Sequence, residues 1–188
     1  MNYKIILASN SPRRKELLKG LDIDFEVRVI PDIDESYPPD MPPGEIPCYI
    51  AQKKASVYRA TMQADELIIT ADTIVELDGE ILEKPLDRND AIRMLKRLSG
   101  RKHQVITAVT LTTVDRQKTF PVVSSVDFAT LTGDEIEYYV DKYKPYDKAG
   151  AYGIQEWIGY IGVCCIEGSF YNVMGLPIQR LYHELKMF

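Results

Sequence analysis

The apolar positions of this chain fall into short runs divided by polar turns, and their spacing switches between strand-like and helix-like. Ile5-Ile6-Leu7 reads as a buried strand. Ser9-Asn10-Ser11 then forms a polar turn, and Ser11 followed by Pro12 gives an N-cap and a first helical residue, so a helix starts there. A proline-rich loop from Pro38 to Pro47 leads into a helix over 44–62, with Ile46, Ile50 and Val57 on one face. Leu67 to Leu77 is the most strand-like run and ends at Asp78-Gly79, a hairpin turn signal. Asp87 caps a helix bearing Ile92, Leu95 and Leu98, which stops at Gly100. His103 to Val114 and Phe120 to Thr130, joined near Asp115-Arg116-Gln117, read as a long hairpin. Thr132 with Glu135 makes a capping box for a helix with Ile136, Tyr139 and Val140. Further short strands are expected between Gly150 and Gly175, and Pro177 opens a last helix with Leu181 and Leu185 inward. Helices interspersed with long strands predict an α/β protein with a mixed sheet. The length, 188 residues, suits one domain over 1–188 with a sizeable core.

Composition adds exclusions. The apolar fraction of 45% and charged fraction of 27% are those of an ordinary soluble globule, and a net charge of −5 argues against nucleic acid as a partner. No basic start is followed by an apolar stretch and no run reaches membrane-spanning length, so a cytoplasmic protein without a membrane partner is expected. Cys48 stands alone and Cys164-Cys165 are adjacent in an apolar run; none has metal-binding spacing, and all three are expected to be reduced core residues. Charge is also unevenly placed. Residues 1–20 hold Lys4, Arg13, Arg14, Lys15 and Lys19 against Glu16, whereas residues 31–47 hold five acids and no base. A basic site and an acidic loop suit a phosphate ester held with a metal ion.

The basic site has a specific form. Arg13 and Arg14 lie in the first turn of a helix, where the helix dipole disfavours each cation by roughly 0.3–1 kcal/mol. An anion bound there would offset that cost. A strand, a short Ser9–Ser11 turn and a capped helix end form a cradle for phosphate, and two guanidiniums add forked donors. Asp72 is the second unusual residue, since it interrupts a run otherwise suited to burial. Either the strand ends near Thr70 and Asp72 caps a turn, or a buried carboxylate has a partner there, holding a divalent ion or taking a proton from an attacking water. Glu35, in Asp32-Ile33-Asp34-Glu35, is the best second carboxylate for magnesium or manganese. Lys54 and Lys84 are candidate phosphate contacts, although helical projection places Lys53 and Lys54 equally far from the apolar stripe and does not choose between them. Pro85 holds Lys84 extended. In Asp147 to Gln155 the glycines let backbone pass close to a ligand, and Gln155 offers an amide that donates and accepts.

These segments, in this order, resemble the Maf family of nucleoside triphosphate pyrophosphatases. The matching stretches are Leu7 to Leu18 (LASNSPRRKELL), Asp34-Glu35, Ala51 to Ala55 (AQKKA), Ala71 to Val75 (ADTIV), Glu83-Lys84-Pro85, Leu98 to Arg101, Asp147 to Gln155 (DKAGAYGIQ) and Gly175-Leu176-Pro177. They span nearly the whole chain. The resemblance implies a strongly twisted mixed sheet with flanking helices and two lobes around a central cleft, as in Maf and ITPase-like proteins, and often a homodimer. It implies hydrolysis of a nucleoside triphosphate between its α and β phosphates with a divalent cation, magnesium or manganese. By position, Asp72 becomes the proton acceptor and metal neighbour and Glu35 a metal or water partner. Ser9, Arg14, Lys54 and Lys84 become phosphate-side residues, with Ser11 counted among the substrate contacts, and Lys54 is chosen over Lys53. Arg13, Thr73 and Gln155 occupy the positions that mark the branch acting on dTTP and UTP. Two departures from the family pattern stand out: Glu156 replaces a glycine after the glutamine, and the loop before Asp34-Glu35 is one residue longer. The alternatives are a pyrophosphatase for modified purine triphosphates and a non-catalytic nucleotide-binding regulator of cell division.

Overall fold

Three consecutive buried apolar residues make the first strand an interior one. In the computed structural model, which describes residues 3–188, β1 (Lys4–Leu7) lies between β2 (Phe25–Val27) and β3 (Glu66–Leu77), parallel to both, with Ile6 opposite Glu26 on one side and Ile68 on the other. β3 folds back antiparallel into β4 (Glu80–Leu82) through Asp78 and Gly79, both at positive φ. β5 (Lys102–Thr112), β6 (Gln117–Phe128) and β7 (Val163–Glu167) complete a seven-stranded mixed sheet in the order β2-β1-β3-β5-β6-β7, with β4 on β3, and helices flank it.

The chain divides into two compact units. The first comprises residues up to Asp72, Thr107–Val122 and Gly175–Phe188; the second comprises Thr73–Ile106 and Val123–Met174. The division falls inside β3, between Asp72 and Thr73, and inside β5 and β6.

In the first unit, α1 (Pro12–Lys19) starts where expected, with Ser11 as N-cap accepting from the Arg14 N–H. The helix α2 (Ile46–Arg59) buries Ile46, Ile50, Ala51, Ala55 and Tyr58. Val57, expected on that face, is exposed. The buried stripe is rotated because Ala51 and Ala55 give the helix a smooth surface, on which Thr70 Oγ1 donates to the Ala51 carbonyl at 2.7 Å. Tyr58 packs against Ile6 and Ile68, accepts the Ile30 N–H at 2.9 Å and donates to the Arg28 carbonyl at 3.1 Å. At the start of β3, the buried Glu66 takes a two-point ion pair from Arg28. The closing helix α7 (Ile178–Leu185) buries Leu181 and Leu185, as expected, and also Glu184, paired with Lys118 at 2.5 Å and Arg180 at 2.7 Å.

The second unit has its own core, formed by Leu77, Leu95, Leu98, Val126, Phe128 and Tyr139 with their neighbours. Asp87 caps α3 (Arg88–Leu98), and Thr132 with Glu135 forms the expected capping box on α4 (Gly133–Tyr143). Between Gly150 and Gly175 the expected short strands reduce to one, β7. The rest is a tight 3₁₀ turn over Ala149–Ala151, α5 (Trp157–Gly162) and α6 (Phe170–Val173). Glycine spacing marked the turns but not the short helices between them. The cysteines carry no disulfide, yet Cys164 and Cys165 are exposed on β7 and Cys48 is half-buried, so the expected core placement is wrong. Among the described residues no helix is long and apolar enough to cross a membrane.

His103 on β5 packs edge-on against Phe128 and Tyr152, with Nε2 2.8 Å from the Tyr152 hydroxyl. Burial lowers its pKa from 6.5 to about 4. The unfolded chain therefore binds a proton between those values that the folded chain excludes, so stability falls as pH drops through that window, by on the order of 3 kcal/mol in all. Urea midpoints measured from pH 7 to pH 4 should show this slope in the wild type and a flatter one in His103→Phe. Parallel slopes would exclude His103 as the cause.

Candidate active site

Asp72 is the point from which the site is built. β3 does not end near Thr70: it runs through Asp72 to Leu77, so the carboxylate sits in the interior of a strand with its side chain 11% exposed. Such a group needs a counter-charge. Lys54 Nζ provides it, 2.9 Å from Asp72 Oδ1, and the same ammonium is 3.1 Å from Glu35 Oε2. Lys54 is itself only 13% exposed, whereas Glu35 is 49% exposed, so the trio runs from a strand interior to the surface of the acidic loop.

The structure separates the two lysines that helical projection could not. Lys53 Nζ pairs with Asp34 at 2.6 Å and reaches the Ser36 carbonyl at 2.9 Å. Successive lysines of α2 thus take successive acids of the loop, Lys53 with Asp34 and Lys54 with Glu35. This pairing pins the loop outside the strand, and Tyr58 pins its entry at Arg28 and Ile30. Lys53, with the Ser36 hydrogen bonds, holds Asp34 well below the usual carboxylate range. The sequence did carry a signal for the arrangement, two adjacent bases and two adjacent acids, but no means of registering them.

Arg14 belongs to the same group, in a way the sequence did not disclose. Its Nε donates to the Gly175 carbonyl and its Nη1 to the Ala71 carbonyl, each at 2.9 Å. Burial lowers its pKa, opposed by the charges of Asp72 and Glu35. The guanidinium therefore holds the residue just before Asp72 and contributes positive potential to the two acids. Ser9 is buried and its Oγ accepts the Ser11 N–H at 3.2 Å, which shapes the turn before α1. Arg13 is half-buried in the first turn of α1. Ser9, Ser11, Arg13, Arg14, Glu35, Lys54 and Asp72 all fall within the first unit.

Thr73, Lys84 and Gln155 fall in the second unit. Thr73 directly follows Asp72 on β3, and Lys84 is exposed in the extended segment after β4. Its neighbour Glu83 accepts the Gly150 N–H at 3.1 Å. Gly150 sits at φ 69°, and a Cβ there would come within 2.9 Å of Val75 Cγ2, so only glycine lets this segment lie on β3. The Lys84 strand end and the glycine segment are thereby joined. Gln155 lines a recess of about 220 Å³ with Ile154, Tyr160, Val163 and Phe170. That is below the roughly 300–1,000 Å³ of a whole small-molecule site. Gln155 Oε1 is buried with no hydrogen-bond donor among the described residues.

Among the described residues no group of three or more His, Cys, Asp or Glu stands together as a metal cage. The donor set that is present is Glu35 and Asp72, already gathered around one cation, the Lys54 ammonium. Two hard carboxylates fit magnesium or manganese, which usually take one or two and fill the remaining positions with water and phosphate oxygens.

A family described as Maf-like protein matches residues 4–188. A relative from Bacteroides thetaiotaomicron, named dTTP/UTP pyrophosphatase, is 64% identical over 98% of this chain and 95% of its own length. Another of the same name from Flavobacterium psychrophilum is 48% identical over 96% and 92%. Among solved structures, the Ham1 protein of Staphylococcus aureus superposes with a TM-score of 0.55 at 21% identity, covering 96% of this chain and 99% of that one. A HAM1 protein from Coxiella burnetii gives 0.51 at 16% identity, covering 99% and 100%. At those identities the solved structures bear on the fold alone.

Proposed function

We propose, on the premise that this chain belongs to the Maf-like protein family, that it hydrolyses dTTP and UTP between the α and β phosphates, releasing the monophosphate and pyrophosphate. It is then a nucleotide diphosphatase that clears the nucleotide pool, cytoplasmic and homodimeric. The observation that carries this is the Glu35–Lys54–Asp72 trio beside Arg14, supported by relatives named for that activity.

The residues divide the work by chemistry. Asp72, paired with the Lys54 ammonium, takes the proton of the water that attacks the α phosphorus. Lys54 orients that carboxylate and adds positive charge where the transition state gathers negative charge. The Ser9–Ser11 turn and Arg13 at the α1 N-terminus hold the phosphate tail. Arg14 fixes Ala71 and so the direction of Asp72. Thr73 and Gln155 contact the base, where an amide acceptor suits the ring N–H of uracil or thymine. Glu35 and Asp72 would hold magnesium or manganese, which neutralises phosphate charge when bound.

Incubation with either metal and a panel of triphosphates, read as pyrophosphate release, tests the assignment. The expected result is metal-dependent turnover of dTTP and UTP ahead of purine triphosphates. Saturable nucleotide binding without turnover, or a preference for modified purine triphosphates, would overturn it.

A further inference from the structure

The turn that carries Gln155 is closed by three side chains to which the proposed reaction gives no role. The Glu156 N–H donates to the Gly153 carbonyl at 3.0 Å, which folds the chain over Gly153–Glu156. From α4, the Tyr139 hydroxyl accepts the Gly153 N–H at 3.0 Å and donates to Glu156 Oε2. Glu156 Oε1 lies 3.2 Å from Lys148 Nζ, which also pairs with Asp147 at 2.8 Å. Tyr139 and Lys148 are both buried. Burial, and then the contact with Glu156, raise the Tyr139 pKa, so its hydroxyl remains a donor. Gly153 is the point over which this clamp passes: a Cβ there would come within 2.8 Å of Glu156 Cδ and 3.1 Å of Lys148 Cε.

Gln155 sits inside the clamped turn, directly before Glu156, and its amide oxygen is a buried acceptor with no donor among the described residues. An unpaired acceptor meets a ligand N–H in one defined place only if the backbone on both sides holds it still. We infer that Glu156, acting through Tyr139 and Lys148, is a positioning residue for base selection, holding the Gln155 amide toward the ring N–H of a pyrimidine of the uracil or thymine class. The inference rests on the substrate assignment above.

The test compares wild type with Glu156→Ala, Glu156→Gln, Gln155→Ala and the Gln155→Ala/Glu156→Ala pair, scoring the ratio of kcat/KM for dTTP over dGTP. Glu156→Ala should lower that ratio by roughly tenfold, and the pair should be no worse than Gln155→Ala alone, because both act through one group. Glu156→Gln should regain most of the ratio, since its amide oxygen still accepts from Tyr139. Tyr139→Phe, which keeps the buried ring but leaves the Gly153 N–H and Glu156 Oε2 without that partner, should repeat part of the loss and lower Tm as well. Losses that multiply in the pair, or an unchanged ratio in Glu156→Ala with a lower Tm, would overturn the positioning role. Calorimetric titration of the same proteins with dTTP and dGTP in EDTA reads selectivity without turnover, so a failed hydrolysis panel and a failed clamp are distinguished. Equal dTTP preference in wild type and Glu156→Ala in that titration also overturns it.

Discussion

Asp72→Asn should lower kcat/KM for dTTP by about 10³-fold while leaving the fold in place, on the scale of losing a general base. The substitution is isosteric, so β3 and its pairing with β1 are undisturbed. What changes is chemistry at one oxygen. An amide does not take a proton from water, although its oxygen can still accept from the Lys54 ammonium, which now lies 2.9 Å from a carboxylate oxygen. Pyrophosphate release, measured beside a thermal melt, separates the two effects. Turnover within a few-fold of wild type would remove Asp72 from the chemistry, whatever its burial.

Lys54→Met gives the second large effect, with two parts of opposite sign. Turnover should fall by about 10²-fold, the scale of removing one preorganised donor to developing charge. The divalent cation needed for half-maximal rate should also fall. Lys54 is the cation that Glu35 and Asp72 share in the free protein, at 3.1 and 2.9 Å, and a metal ion has to share or displace it. With a methionine there, the two carboxylates lose the ammonium they share, keep only the weaker potential of Arg14, and bind a divalent cation more tightly. Rate against magnesium concentration reports both numbers. A raised metal requirement would show that the lysine helps to recruit the ion.

Local signals were legible in the sequence wherever one stretch of chain supplies all the groups. The Thr132–Glu135 box, the Asp87 cap, the Asp78-Gly79 turn and the Ser11-Pro12 helix start each need only residues a few positions apart, and each stands as expected. Val57 shows the limit, because which face of a helix is buried depends on what it meets, and Ala51 and Ala55 outweighed a larger residue. Cys164 and Cys165 show another: an apolar run reads as core, yet β7 ends the sheet order and turns both outward. In the site, the residue types and the acidic and basic segments were readable, but pairings across many residues were not. Lys54 with Glu35 and Asp72, Arg28 with Glu66, and Tyr139 with Glu156 all needed coordinates.

The Arg14 guanidinium joins carbonyls that lie 57 and 161 positions away in the chain, Ala71 and Gly175. The carboxyl-terminal stretch accordingly supplies one of the two carbonyls that fix the guanidinium beside Asp72. Trimming it back past Gly175, or fusing a bulky tag that drags on α7, would release one anchor of that guanidinium.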